Sequence, residues 1–147
     1  MPVPAVWGPR LWKIIHLLAD RKVNPETPPL LKSDAFRELK GMLQTLELIV
    51  PCLECKKHIR LYLKVNLLPP SLSDASDWLL KFHNDVNIRL GKPVFTASPF
   101  QTYTPNQILS EWKEYRKLMK ESLLLGHVKG EDLSAWERRL RLFLSLT

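Results

Sequence analysis

The stretch Pro51-Cys52-Leu53-Glu54-Cys55 holds both cysteines of this 147-residue chain. An apolar run ends just before the proline, and the apolar residues after the pair have helical spacing, so the pair lies near a helix start. Free backbone N–H groups at a helix start favour a thiolate, and we expect a thiol pKa below the usual value of about 8.5. Two thiols one turn apart, one of them readily ionised, are suited to disulfide exchange.

Three other interpretations of the cysteine pair are open at this point. The thiols could be inert core residues, because free cysteine is among the most buried residue types. Cys52, Cys55 and His58 have ligand-like spacing for zinc, but a structural zinc site needs four ligands and the chain has no second Cys/His pair. A thioredoxin-like motif would follow a strand in a βαβ unit, and the sequence shows no such alternation. Disulfide exchange is the favoured interpretation.

The composition is that of an ordinary globular chain with a basic surface. Hydrophobic residues make up 45% of the chain and charged residues 25%, and the formal net charge is +7. We interpret the excess charge as a solvated surface and expect no nucleic-acid partner. No run of eighteen apolar residues occurs and the N-terminus lacks the features of a secretory signal, so we expect no membrane span. Two cysteines allow at most one intrachain disulfide, which excludes a disulfide-stapled scaffold.

Hydrophobic periodicity is helical along nearly the whole chain and predicts an all-α fold, a bundle of four helices with two more appended. The predicted helix signals are, in order, Trp7 to about Ala19, a cap at Ser33 or Asp34, Pro51 to about Val65, a capping box at Ser71 and Asp74 leading to Gly91, Thr104-Pro105 to Gly126, and about Glu131 onward. The apolar stripes expected in the core include Leu11, Ile14, Ile15 and Leu18 in the first helix and Leu133, Trp136, Leu140 and Phe143 in the last.

Three segments, read together, have the order and spacing of a known family. They are WGPRLWKIIH from Trp7 to His16, the CxxC pair, and WLLKFHNDVNIRLGKP from Trp78 to Pro93. The chain resembles the Erv/ALR family of FAD-linked sulfhydryl oxidases, whose pattern is W…W…H, then YPC-x-x-C, then WL…HN-x-VN-x-x-LGK. The resemblance covers residues 7 to about 95, and weakly extends to Trp112. A CxxC followed at this distance by HNxVNxxLGK is a specific signature, whereas a lone CxxC is not.

The resemblance implies a fold, an activity and site residues. The fold would be a four-helix bundle cradling FAD over residues 1–112, with a helical extension over 113–147 packed on the same domain. The activity would be oxidation of protein dithiols, met directly or through a small dithiol shuttle protein, with electrons passing via FAD to O₂ to give H₂O₂. Cys52 would be the outer cysteine that the substrate attacks, and Cys55 would lie against the flavin. The implied FAD-binding residues are Gly8, Trp12, His16, Cys55, Trp78, His83, Asn84, Val86, Asn87, Leu90, Lys92 and Trp112, and no metal is implied.

The residue types themselves suit a flavin bound among helices. Flat side chains such as Trp12 and His83 can stack on an isoalloxazine or adenine ring. Asn87 lies one helical turn after His83, so both can face the same ligand edge. Lys92, just beyond that helix, could meet the charge of a pyrophosphate. The chain has five glycines and no GxGxxG, which excludes a Rossmann cradle.

The chain departs from the family pattern at one pair of positions. Many relatives have a further, disulfide-bonded cysteine pair where this chain has Leu80 and, in the best alignment, Ala97. The loss of both cysteines indicates that apolar packing replaces this disulfide. Val50 stands where the family has a tyrosine, and the family's shuttle cysteines are absent. Minimal modules of this kind, without shuttle or organelle signal, are typical of large cytoplasmic DNA viruses. We therefore expect a viral enzyme acting in the host cytoplasm or the virion, as a homodimer.

Two alternatives to an active oxidase follow from the same residues. One is a helical interaction module in which Cys52, Cys55 and His58 hold a metal. The other is a scaffold protein that binds the flavin without turnover.

Overall fold

The computed structural model describes residues 4–23, 25–96 and 103–147, and the regular secondary structure within them is entirely helical. The predicted all-α class is confirmed. The α-helices of the described residues are α1 (Pro4–Ala19), α2 (Pro29–Gln44), α3 (Leu53–Val65), α4 (Ala75–Arg89), α5 (Pro105–Leu118), α6 (Lys120–Leu124) and α7 (Gly130–Leu146), with 3₁₀ turns at Leu46–Ile49 and Leu72–Asp74. None of these helices combines the length and the apolarity needed to cross a bilayer.

Helix α1 is the central element because it packs against both α4 and α5. Its predicted stripe is confirmed, since Leu11, Ile14, Ile15 and Leu18 are all buried. Burial continues to the last residue of the helix, Ala19. One face of α1 therefore meets the core, and a second face is left to line a cavity.

Helix α2 begins earlier than the sequence signals predicted. The cap at Ser33 or Asp34 was wrong, because the helix starts at Pro29 and both residues lie inside it. Pro28 is extended (φ −56°, ψ 143°), and a proline at the first helical position already has the φ of a helix and needs no hydrogen-bonded N–H. The proline-rich segment is thus partly a helix start and not only a loop.

Helix α4 lacks the predicted capping box. The Ser71 hydroxyl donates to the Asp74 carboxylate over 2.6 Å, and neither side chain caps the backbone. A 3₁₀ turn occupies Leu72–Asp74, and the α-helix begins at Ala75. Its exit is as predicted, since Gly91 takes the left-handed conformation (φ 71°) that favours glycine after a helix.

The helix predicted from Thr104-Pro105 to Gly126 is broken at Met119. Its start is confirmed by a capping box, in which Thr104 and Gln107 each bond the other's backbone N–H. Met119 is fully buried and ends α5, and the short α6 follows before Gly126 (φ 76°) turns the chain.

Helix α7 packs along α2 in the largest helix–helix interface of the described residues. Its predicted stripe, Leu133, Trp136, Leu140 and Phe143, is confirmed as buried. The Trp136 indole donates to the Met42 carbonyl over 3.0 Å.

Arg139 also joins this interface, although it lies beside the apolar stripe and not in it. Its guanidinium donates to Glu38 over 3.1 Å, directly above Gly41, where a side chain would collide with it. The reason is that a long side chain can reach back across a helix contact while its charged end stays partly in water.

Candidate functional site

A cavity of about 790 Å³ opens between α1, α3 and α4, with one residue contributed by α5. This volume falls in the usual range of cofactor and small-molecule sites. The structure brings nine of the predicted site residues into its wall: Gly8, Trp12, Cys52, Cys55, His83, Val86, Asn87, Leu90 and Lys92. Segments far apart in the sequence therefore meet around one space.

The cysteine pair lies at the N-terminus of α3, as predicted. Cys52 is the N-cap residue, and its sulfur accepts a hydrogen bond from the Cys55 backbone N–H over 3.2 Å. Both thiols are half-buried and free. Both can therefore be reached from the cavity.

The expected low thiol pKa does not hold for Cys55. Burial and the neighbouring Cys52 raise the pKa of the Cys55 thiol to about 12, while Arg89 opposes them only weakly. The basic residues after the pair do not reverse this, because the Lys56 ammonium bonds the Glu47 carbonyl over 2.7 Å and Lys57 pairs with Glu54. Desolvation thus raises the pKa of this thiol more than the helix N-terminus lowers it.

Two stacked aromatic rings form part of the cavity wall. The rings of Trp12 and His83 are stacked in parallel, with centroids 4.0 Å apart and planes 4° from each other. Behind them, His16 Nε2 and His83 Nδ1 are 2.8 Å apart, and His16 is fully buried. Burial lowers the pKa of both imidazoles to about 4, so both rings are neutral at pH 7.

Asn84 holds the chain segment that follows α4. Its amide donates to the Phe95 carbonyl over 2.7 Å and accepts from the Phe95 N–H over 2.8 Å. This clasp places the Phe95 ring edge-on against His83, with centroids 5.1 Å apart. Asn84 does not line the cavity and acts on its wall through Phe95.

Two buried polar groups in the cavity wall have no protein partner. They are the Asn87 side-chain amide nitrogen and the Trp7 indole nitrogen. A buried donor without a partner is costly, and a ligand in the cavity would satisfy both. Arg89 and Lys92 add positive charge to the same wall. The donors, the flat rings and the basic groups fit FAD, which carries ring heteroatoms, a flat tricycle and a pyrophosphate.

Besides Asn84, three predicted binding residues lie outside the cavity wall. His16 supports His83 from behind, and the Trp78 indole donates to the Leu67 carbonyl over 2.7 Å. Trp112 is a core residue, stacked on Trp136 with centroids 4.9 Å apart. Ala97, the proposed position of a lost cysteine, is outside the described residues, whereas Leu80 is half-buried on α4.

Several wall residues were missed by sequence reasoning. Glu111 pairs with Arg10 over 2.6 Å and with Lys13 over 3.4 Å, which ties α5 to α1 at the cavity edge. Phe95 lies two residues after the LGKP segment and Glu111 directly precedes Trp112, so both lie beside the residues that the family pattern identifies but are not part of it. Pairing across helices leaves no periodic signal that could have identified these residues.

A metal site is not formed by the candidate ligands. Across residues 4–23, 25–96 and 103–147, no group of three or more His, Cys, Asp or Glu side chains has the geometry to hold a metal ion. The zinc alternative built on Cys52, Cys55 and His58 therefore has no support.

Comparison with known proteins gives matches over most of the chain. The sequence pattern of the Erv1/Alr family matches residues 9–113. The FAD-linked sulfhydryl oxidase of African swine fever virus (isolate Tick/Malawi/Lil 20-1/1983) is 28% identical over 135 residues, covering 88% of this chain and 95% of the viral protein. The protein 347L of Invertebrate iridescent virus 6 is 32% identical over 103 residues, 65% of this chain and 88% of that protein.

A plant relative matches a shorter region. The FAD-linked sulfhydryl oxidase ERV1 of Oryza sativa subsp. japonica is 35% identical over 89 residues, 60% of this chain and 43% of the plant protein. No solved structure matches the chain.

Proposed function

The chain belongs to the Erv1/Alr family and is a FAD-linked sulfhydryl oxidase, and we propose that Cys52 and Cys55 are its redox pair. The observation that carries this assignment is the shared cavity, whose wall contains both thiols and the stacked Trp12–His83 pair. Thiols and a flat aromatic surface in one enclosed space are what electron transfer from a dithiol to a flavin needs.

The thiol chemistry begins from the oxidised pair. A substrate thiolate attacks the Cys52 sulfur, the Cys52–Cys55 bond breaks, and Cys55 leaves and takes up a proton. A second substrate thiol attacks the mixed disulfide, which releases oxidised substrate and the reduced pair. FAD, when bound, would supply the two-electron acceptor chemistry that links this reduced pair to O₂, with H₂O₂ as the product. In sum, two thiols and O₂ become one disulfide and H₂O₂.

The raised pKa of Cys55 has a role in this sequence. Because burial favours the neutral thiol, Cys55 is a poor competitor for the mixed disulfide at Cys52. The substrate's second thiol can then resolve the bond. Return of Cys55 to its own partner would reverse the reaction, so protonation of Cys55 supports the forward direction.

The residues proposed to hold FAD divide by chemistry. Trp12 and His83 would provide a flat wall, and the unpartnered nitrogens of Asn87 and Trp7 would bond ligand acceptors. Arg89 and Lys92 would face the pyrophosphate. Because both histidines are neutral at pH 7, this wall brings no positive charge of its own to the ring.

Replacement of the inner cysteine tests the redox pair. Cys55→Ser is expected to keep the flavin absorbance band and to lose oxygen consumption with dithiothreitol. Leu124→Ser, at an exposed residue outside the cavity wall, is the control and should keep both. Flavin-bound Cys55→Ser that still consumes oxygen at the control rate would overturn the assignment.

Three finer points are also proposed. We propose that the substrates are protein dithiols, met directly or through a small dithiol shuttle protein, with O₂ as acceptor. We propose a homodimer, as the family resemblance implies, and sedimentation of the flavin-bound protein tests it. The viral relatives support a site of action in the host cytoplasm or virion, which fractionation of infected cells would test.

A further inference from the structure

Helix α3 is the least covered helix at the site, although it carries the cysteine pair. It packs mainly on the 3₁₀ turn Leu46–Ile49, and Ile59 is its one buried residue. Successive helical residues are rotated by about 100°, so its exposed positions fall within an arc of about 140°. Together they form what we term the α3 outer face: Leu53, Glu54, Lys57, Arg60, Leu61, Lys64 and Val65.

The α3 outer face is both apolar and basic. Leu53 is 66% exposed, Leu61 59% and Val65 73%, which is unusual for three large apolar side chains on one helix. Lys57, Arg60 and Lys64 carry three positive charges. Glu54 pairs with Lys57 over 3.5 Å and Glu47 pairs with Arg60 over 2.7 Å, so the surface keeps a net charge of +1. A solvated helix face would ordinarily carry polar residues at these positions. The apolar residues therefore indicate a surface that is covered during function.

The position of this face relative to the thiols identifies what covers it. Leu53 lies between the two cysteines, and the remaining residues continue from it along the helix. If Cys52 is attacked by a substrate thiolate, the substrate chain on either side of that thiol must pass over the start of α3. A second copy of the chain is disfavoured here, because two such faces would oppose like charges.

We propose that the α3 outer face is the docking surface for the client protein, and that it binds a segment whose cysteine is flanked by apolar and acidic residues. This inference rests on the proposed thiol oxidase function and names its substrate class. The apolar residues supply contact area, and the net positive charge attracts the acidic flanks.

Turnover of matched substrates tests the proposal. Two dithiol peptides with the same Cys-x-x-Cys centre are compared, one flanked by leucine and glutamate and the other by serine and lysine, with dithiothreitol as a small substrate. For the flavin-bound Lys57→Glu/Lys64→Glu variant, we expect KM for the acidic peptide to rise roughly tenfold, because two favourable charge contacts become repulsive. Dithiothreitol turnover should stay within about twofold, because it needs no docking surface.

A second variant and a matched control separate the parts of the face. Leu61→Ser/Val65→Ser should weaken both peptides, since the lost contacts are apolar. Lys113→Glu/Lys117→Glu makes the same charge change on α5, at exposed residues, and should alter neither substrate. Unchanged KM for the acidic peptide in both α3 variants, or an equal change in the α5 control, would overturn the proposal.

Binding without turnover distinguishes this proposal from the function on which it rests. Fluorescence anisotropy of the acidic peptide, with serines in place of its cysteines, measures docking even if no oxidation occurs. Loss of dithiothreitol oxidation in the wild type would overturn the oxidase assignment, while the anisotropy still decides the docking surface. Absence of peptide binding to the wild type would overturn the docking proposal. A dimer that dissociates in the α3 variants would show that the α3 outer face is a dimer interface, and would overturn the proposal as well.

Discussion

At the scale of single residues, the two thiols of the proposed redox pair differ in their surroundings and should differ in reactivity. Burial and Cys52 together raise the pKa of Cys55 to about 12, so Cys55 is a neutral thiol at pH 7. In the reduced protein, iodoacetamide should modify Cys55 slowly at pH 7, with a rate that keeps rising beyond pH 9. Peptide mapping by mass spectrometry across this pH range measures the rate at each sulfur.

The variant Cys52→Ala checks the cause of the raised pKa. It removes the hydrogen bond and the charge of the neighbouring sulfur but leaves the burial, so the Cys55 pKa should fall while staying above its usual value. A Cys55 rate that levels off below pH 9 in the wild type would contradict this account.

The paired histidines should make stability depend on pH. Burial lowers the pKa of His16 and His83 from about 6.5 to about 4, so the unfolded chain binds protons before the folded one does. Their contribution is present above pH 6.5 and is lost as the pH falls toward 4. We expect the free energy of unfolding to drop by up to roughly 2 kcal/mol for each histidine between pH 7 and pH 5.

Urea unfolding of the flavin-bound protein at these pH values measures that drop. The double variant His16→Gln/His83→Gln is the reference, because it keeps the polar side chains and removes the titration. The difference between the two pH dependences isolates the histidines from the carboxylates. Equal slopes for the wild type and the variant would contradict the prediction.

The residues of the candidate site could be predicted from the sequence only where a motif identified them. Trp12, His83 and Asn87 were expected at a flavin from their spacing, and they do line one cavity. The Cys55 pKa was not predictable, because a helix start favours the thiolate and only the folded structure shows how much desolvation opposes it. Trp112 was misplaced for a related reason, since a tryptophan on a helical stripe has the same pattern in a core and at a ligand.

At the scale of elements, the α2–α7 contact includes an arginine whose side chain occupies the space left by a glycine on the facing helix. The Arg139 guanidinium lies over Gly41 and pairs with Glu38, which is 8% exposed. Arg139→Ala should lower the free energy of unfolding by about 1–3 kcal/mol, because the buried Glu38 loses its closer partner and keeps only Arg37 at 4.0 Å. In that background Gly41→Ala should stabilise by roughly 1 kcal/mol through helix propensity.

In the wild type, Gly41→Ala should instead be neutral or destabilising, because the new methyl group displaces the guanidinium. Urea unfolding of the four proteins gives the coupling between the two positions, expected to be about 1 kcal/mol or more. Additive effects of the two substitutions would show that the guanidinium moves aside without cost.

The ends of helices were predicted correctly where the local sequence is compatible with only one backbone geometry. Thr104-Pro105 and Gly91 were correct, because a cap with a following proline and a glycine after a helix each have one preferred backbone geometry. Pro29 was missed, since a proline cluster indicates a loop and a helix start equally well. The break at Met119 was missed as well, because the apolar stripe continues across it.

At the scale of the whole molecule, α7 should be required for folding, although it lies beyond the matched residues 9–113. It buries Leu133, Trp136, Leu140, Phe143 and Leu144 against the rest of the chain. At about 2 kcal/mol for each large apolar side chain, its removal costs on the order of 10 kcal/mol, comparable with the whole stability of a typical domain. A chain ending at residue 129 should therefore show no cooperative thermal unfolding by circular dichroism.

The control for this truncation is Leu142→Ser in the full chain, at a half-exposed position on α7, which should unfold cooperatively. A truncated protein that binds flavin and unfolds cooperatively would show that residues 9–113 suffice. The position of α7 could not be predicted from the sequence. Its amphipathic stripe predicts burial but does not say against which helix the stripe packs.

The shallow anchoring of α3 has a further consequence for its motion. Regions with few buried apolar residues open locally at a lower free energy than the core, and their amide protons exchange with solvent sooner. Since α3 buries only Ile59 while α1 buries nine residues, its amides should exchange deuterium before those of α1. The helix that carries the proposed redox pair would thus loosen before the helix that forms the centre of the core.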